Sequence, residues 1–314
     1  MKKYILLLLI SFSVKAQLLP PIQSFTPQEY SGANQNWMID GSLSNEILFS
    51  NSEGLLIFDG TRWNTYASPN GTIIRSVKNT GDLIYTGSHS DFGVWQKSFD
   101  GNFYYTSLVE KLNLNIEDDE EFWDILILDN WIIFQSLHRF IFLDKTTNEV
   151  KYLKINGTIQ FSIVLDNQIY FSSESGFFKL VNGQPELLIK NNLLYSNIIN
   201  VFNYNDSLLL LSSRDGFYIL DDGGFVKKKK SFLDSNSYSI FSSLKLNDNS
   251  FVLGTIGQGI VSLDSDLQLK YIIDKSNGLL NNTVLSMYQD FESNIWLGLD
   301  NGISVININS PFKI

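Results

Sequence analysis

Short apolar runs alternate with polar breaks along almost the whole chain, at a spacing that suits strands and needs no helix. The clearest stretch is 281–307, NNTVLSMYQDFESNIWLGLDNGISVIN, where TVLSMY, NIWLGL and GISVIN are separated by QDFES and DNG. It reads as strand, turn, strand, turn, strand. The same grammar recurs at 46–60 (EILFSNSEGLLIFDG), 83–97, 131–145, 168–183, 207–223 and 250–264, which makes seven units. A glycine begins the second strand of each stretch at Gly54, Gly93, Gly176, Gly216, Gly259 and Gly302, with Arg139 at the matching place in the third unit. Steps along that series are 39, 46, 37, 40, 43 and 43 residues. An all-strand chain with a period near 40 predicts one sheet per repeat, closed into a β-propeller. The expected fold is all-β: a seven-bladed β-propeller of four-stranded antiparallel blades.

The strands are almost continuously apolar instead of alternating, which fits sheets whose two faces both pack against neighbours. Turns between first and second strands carry Asn, Asp or Gly, as in KNTGD at 78–82 and LDN at 128–130 and 165–167. These residues tolerate positive φ or bond their own backbone, and Asp290 belongs to this set. The last unit leaves only NSPFKI, 309–314, after its third strand. Residues 24–30 are therefore expected to supply or supplement an outer strand beside it. The domain plan is a leader at 1–16, an N-terminal segment at 17–35 that includes this ring-closing strand, and the propeller at 36–314.

Lys2 and Lys3 precede an apolar run at 4–14, and Val14 and Ala16 are spaced as a cleavage site before Gln17. This is the pattern of a cleaved secretory signal peptide, and the run is far shorter than the roughly 20 residues of a spanning helix. The expected location is the periplasm. A net charge of −10 disfavours a nucleic-acid partner, and the absence of cysteine removes disulfides and thiolate chemistry. The acidic run EDDEE at 117–121 lacks the alternating ligands and turn glycine of a calcium loop and reads as a solvated loop; KKKK at 227–230 reads as an exposed outer strand.

Catalytic constellations are hard to find. The two histidines, His89 and His138, fall in different units, no G-x-S-x-G elbow or phosphate loop is present, and no cofactor or metal motif emerges. Paired carboxylates of a glycosidase are plentiful among 33 acidic residues and so carry no information. The four arginines are Arg62, Arg75, Arg139 and Arg214, scattered over four units instead of clustered as a sialidase requires.

The stretch LLNNTVLSMYQDFESNIWLGLDNGISVIN resembles the two-component regulator propeller repeat at Leu280, Asn282, Val284, Gln289, Asp290, Ile295, Trp296, Gly298, Gly302 and Ile303. The run LPPIQSFTPQEYSGANQNWMI, with GLLIFDGTRWNTYASPNGTIIRSV and EEFWDIL, is similar to the sensor regions of triple-tyrosine-motif, LuxR-type regulators of the Bacteroidetes. The resemblance implies an exported sensor propeller, followed in the family by further blades or a triple-tyrosine domain, a membrane helix and a cytoplasmic output; with no catalytic constellation in the sequence, a non-enzymatic role is expected. Here the sequence stops at Ile314 before any of those segments, so either a sensor half without its output domain or a stand-alone relative is expected. The partners implied are an oligosaccharide or other polar small ligand and a membrane-bound signalling partner or homodimer. A polysaccharide-active propeller enzyme and a structural scaffold are the alternatives.

Propellers bind ligands where loops between second and third strands meet the channel. That rule selects His89, Asp91, His138, Arg139, Glu174, Arg214, Asp215 and Asp300 on one rim, joined by Arg75 and Trp123 at the starts of innermost strands. Trp95, Trp131 and Trp296, inside apolar strands, are assigned to packing between blades.

Overall fold

In the computed structural model, residues 19–190, 196–221, 223–224 and 226–312 are described. The expected leader at 1–16 lies outside them. The described residues form seven four-stranded antiparallel sheets, and in six of them the strands follow chain order from the channel outward. Blade one, for instance, is built from Asn36–Gly41, Ile47–Asn51, Gly54–Phe58 and Trp63–Ala67. No described helix is long and apolar enough to cross a membrane.

Blade seven takes its outer strand from the other end of the chain. Ile22–Phe25 pairs antiparallel with Ile303–Ile306, setting Ile22 opposite Ile306 and Phe25 opposite Ile303. Early and late segments thus share one ladder of hydrogen bonds, and the ring is closed without a covalent link. The strand stops at Phe25, and Pro27–Tyr30 is a helical turn instead. Local chemistry explains the switch: Thr26 N–H donates to Glu29 Oε2 at 2.6 Å, and Pro27 stands at the start of the turn, where its missing N–H costs nothing.

Seven hydrophobic clusters fill the seven junctions between adjacent blades. The continuous apolar runs serve two of them at once. In Trp131–Ser136, Ile132 and Phe134 pack toward blade two while Ile133 packs toward blade four, and all three are fully buried. Each such side chain contributes on the order of 2–3 kcal/mol. Trp95 and Trp296 are buried in these junctions; Trp131 also packs against one, between blades three and four, but is only half-buried, at an outer groove with the Lys151 ammonium 4.7 Å over its ring. Position, not residue type, makes the difference: Trp131 opens its strand at the turn end of the blade.

Asp129, Asp166, Asn167, Asn205 and Asn249 all take positive φ in the hairpin turns. Asp290 does its turn work through its carboxylate, accepting from the Asn294 backbone N–H at 2.8 Å and from Trp296 Nε1 at 2.8 Å. That pairing is the physical content of the Gln-Asp and Trp spacing in the last unit.

Candidate functional site

The innermost strands, Asn36–Gly41, Ile74–Asn79, Phe122–Leu128, Ile159–Leu165, Ile198–Tyr204, Ile240–Lys245 and Val284–Gln289, each carry the same irregularity. In every one the pairing register with the second strand slips after the first residue. The extra residue of each bulge is Trp37, Arg75, Trp123, Gln160, Ile199, Phe241 or Leu285. A bulge turns its extra side chain off the sheet face, and here the first six of these line one cavity of about 580 Å³ at the channel mouth. Leu137, Arg214 and Ile256, from turns between second and third strands, complete the rim.

Neighbouring blades hold these bulges in place. Ser76, Ser242 and Ser286 donate to the carbonyls of Phe122, Val284 and Asn36, each the residue just before a bulge, at 2.9, 2.9 and 3.1 Å. Ser50 donates to the Arg75 carbonyl at 3.0 Å. At Gly87, Gly254 and Gly298 a Cβ would run into these serines and the adjoining strand, so glycine is what lets the blades approach closely enough for the bonds.

At the mouth, the Arg75 guanidinium lies between two indoles, 4.2 Å from the Trp37 ring centre and 4.5 Å from that of Trp123. The two rings meet edge-on at 6.0 Å. Arg75 Nη2 is 3.2 Å from Glu121 Oε1, and Trp37 Nε1 donates to Ser52 Oγ at 3.0 Å. Arg75 Nε and Nη1 and Trp123 Nε1 are buried with no hydrogen-bond partner among the described residues. Around them the mouth is open and apolar: Leu137, Phe241 and Ile256 are 38%, 46% and 51% exposed. Deeper in the wall, Asp124 accepts from the Ile125 N–H at 2.8 Å and Ser162 Oγ at 3.3 Å, and burial pushes its carboxyl up to about 6.

Of the residues selected from sequence, Arg75, Trp123 and Arg214 meet at this cavity. Arg214 is exposed there. Three others lie beside the acidic run, where Glu117, Asp118 and Asp119 are exposed in a loop, as expected, and Glu120 is buried. Arg139 is buried, and its Nε and Nη2 grip Glu120 at 2.7 and 2.5 Å while Nη2 also donates to the Asn115 carbonyl at 3.1 Å. Burial acts to raise the Glu120 carboxyl, but the hydrogen bonds and charge of Arg139 outweigh it and hold the group below its ordinary range. Arg139, like Gly54 and Gly93, lies outside the positive-φ backbone that Gly176, Gly216, Gly259 and Gly302 adopt at the matching places, so no glycine is required there. His89 Nε2 sits 3.7 Å from Asp119, and His138 Nδ1 is 3.5 Å from the Gly157 carbonyl.

The remaining four lie apart from the cavity. Asp91 accepts from Tyr105 and Ser107 hydroxyls at 2.8 and 2.7 Å, and burial raises its carboxyl. Asp215 accepts from Ser196 at 2.8 Å, and Asp300 from Gln35 Nε2 at 2.8 Å. Glu174 is exposed on the turn beside Gly157. Sequence reasoning missed Trp37, Gln160 and Phe241. The signal for them was available: each follows the first buried residue of its innermost strand, at the register where Arg75 and Trp123 also fall.

A larger groove of about 750 Å³, lined by Trp131, Phe142, Leu153 and Gln184 among others, lies between blades three and four on the face opposite the mouth. It lacks the buried, unpartnered donors that mark the mouth. Among the described residues no group of His, Cys, Asp and Glu is arranged to hold a metal ion.

No known family model and no curated protein matches the chain. Solved structures do. The extracellular domain of BT4673, a proposed hybrid two-component system protein of B. thetaiotaomicron, superposes with a TM-score of 0.74 at 19% identity, over 93% of this chain and 40% of that one. The extracellular domain of BT3049 from the same organism gives 0.72 at 18%, over 92% and 42%. A streptogramin B lyase gives 0.72 at 13%, over 94% and 100%. The likeness establishes the propeller fold. The chain spans about two fifths of the length of the two extracellular domains it matches.

Proposed function

We propose that this chain is an extracytoplasmic sensing propeller of a transcriptional or two-component regulator, and that its ligand, an oligosaccharide or another polar small molecule, docks at the channel mouth. The observation that carries this reading is the bulge ring, which delivers Trp37, Arg75 and Trp123 as one packed unit to an open cavity. Indole faces suit the apolar faces of sugar rings, and a guanidinium suits their oxygens. The shared fold with two extracellular domains of hybrid two-component proteins supports the same reading, as does the leader-like sequence at 1–16 for a periplasmic location. Signal output then passes to a membrane-bound partner or through a homodimer.

Calorimetry against a panel of neutral and acidic oligosaccharides, paired with chromatography of the same mixtures, tests the proposal. Binding without new products is expected. Release of shortened or unsaturated products would replace it with the polysaccharide-active enzyme, and binding to nothing across the panel would favour a scaffold.

A further inference from the structure

Three hydrogen-bond donors at the mouth point to the chemistry of the ligand. Arg75 Nε and Nη1 and Trp123 Nε1 are buried without acceptors, and all three can only donate. A buried donor left without an acceptor is costly, and more so on a charged group. Glu121 meets only Nη2, which leaves Nε and Nη1 without an acceptor. What the free protein lacks at this point is a concentrated source of acceptor oxygens.

We infer that the mouth takes an oligosaccharide bearing an oxyanion, a uronate carboxylate or a sulfate ester, which accepts from Arg75 Nε or Nη1. The inference rests on the reading of the mouth as the ligand site and deepens it. An anion brings acceptor oxygens and a counter-charge to the guanidinium together, and an apolar sugar face matches Phe241 and Ile256 on the rim. Arg214, exposed on the same cavity, adds a second positive charge. The orphan donors are buried beside the two indoles, so an entering anion has to move a neighbouring ring. Trp37 is tethered through Nε1 to Ser52, while Trp123 has no such bond. Trp123 is therefore the ring that swings, and its own N–H becomes a third donor to the anion.

The test uses the full chain and three ligand series of equal length: galacturonate oligosaccharides, the same compounds with carboxyls reduced to alcohols, and sulfated galactose oligosaccharides. Calorimetry at fixed ionic strength should show at least tenfold tighter binding for one of the two acidic series than for the reduced one. The acidic series that binds identifies the oxyanion. Arg75→Lys should abolish most of that preference, and Trp123→Phe should remove the ligand-induced change in tryptophan fluorescence. If Arg75→Lys misfolds, the comparison of acidic and reduced ligands on the unmodified protein still decides. Equal affinity for acidic and reduced series overturns the inference while leaving the sensing reading in place; no binding by any series overturns both.

Discussion

Replacing Arg139 by alanine should be among the most damaging single changes in the protein, although Arg139 lies on a rim of turns. Arg139 and Glu120 are 8% and 9% exposed, and the guanidinium makes two bonds to the carboxylate and one to the Asn115 carbonyl. Removing the cation leaves a buried carboxylate without its counter-charge, which costs about 3–5 kcal/mol. For a chain of this length that is a drop of about 5–10 °C in Tm. Glu120→Gln in the same background takes away the stranded charge and should recover at least half of the loss. A double-mutant cycle by urea and thermal denaturation measures the coupling. The effect should also reach the ligand, because Glu121, next in the chain, holds Arg75 Nη2. Several-fold weaker binding is expected from Arg139→Ala, which touches no part of the cavity. A loss below about 1 kcal/mol, or single changes that simply add to within about 0.5 kcal/mol, would refute the view that this pair pins the acidic run in place.

Other consequences are open to direct measurement. Phe25 packs against Phe58, Trp63 and Trp296 at the closure of the ring, so Phe25→Ala should cost about 2–3 kcal/mol and deletion of residues through Phe25 more than that; an unchanged melt of the deletion would sink the closure. Gly298→Ala places a Cβ against Ser286 Oγ and 2.6 Å from the Asn36 carbonyl oxygen of blade one, so it should destabilise by about 1–3 kcal/mol and loosen protease resistance there. Asp124, raised from 3.8 to about 6, binds its proton more tightly folded than unfolded, so its contribution to stability is full below pH 3.8 and is lost as pH rises through 6. Asp124→Asn should accordingly raise Tm at pH 7.5 and leave it unchanged near pH 3.5, by an amount on the order of 1–3 kcal/mol; a variant less stable than wild type at pH 7.5 would reverse the sign and the argument.

The repeat was legible because each blade has to bury both faces of its second and third strands. That requirement writes uninterrupted apolar runs such as WIIF and LLLL at a fixed period. Turn chemistry was legible for a similar reason, since Asn205, Asn249 and Asp290 meet local demands that depend on few distant residues. Ring closure was visible as a deficit, one strand missing after Ile306, although the switch from strand to helical turn at Thr26 depended on a capping arrangement that periodicity does not report. The site was only partly legible. Arg75 and Trp123 could be placed at strand starts, but the bulge that gathers them with Trp37 and Phe241 is a register slip between strands, and no single strand shows it. Arg139 and Glu120 stand 19 positions apart and find each other only through the fold, so the one buried member of an otherwise exposed acidic loop was not visible in the run itself.

The most direct test of the account is a crystal structure of the protein soaked with the acidic oligosaccharide that binds best in calorimetry. The ligand should appear in the channel mouth with an oxyanion within hydrogen-bond distance of Arg75 Nε or Nη1 and with the Trp123 ring moved from its place beside the guanidinium. Density instead in the groove between blades three and four, or a ligand at the mouth that leaves Arg75 and Trp123 untouched, would contradict the claim that the bulge ring is the sensing site.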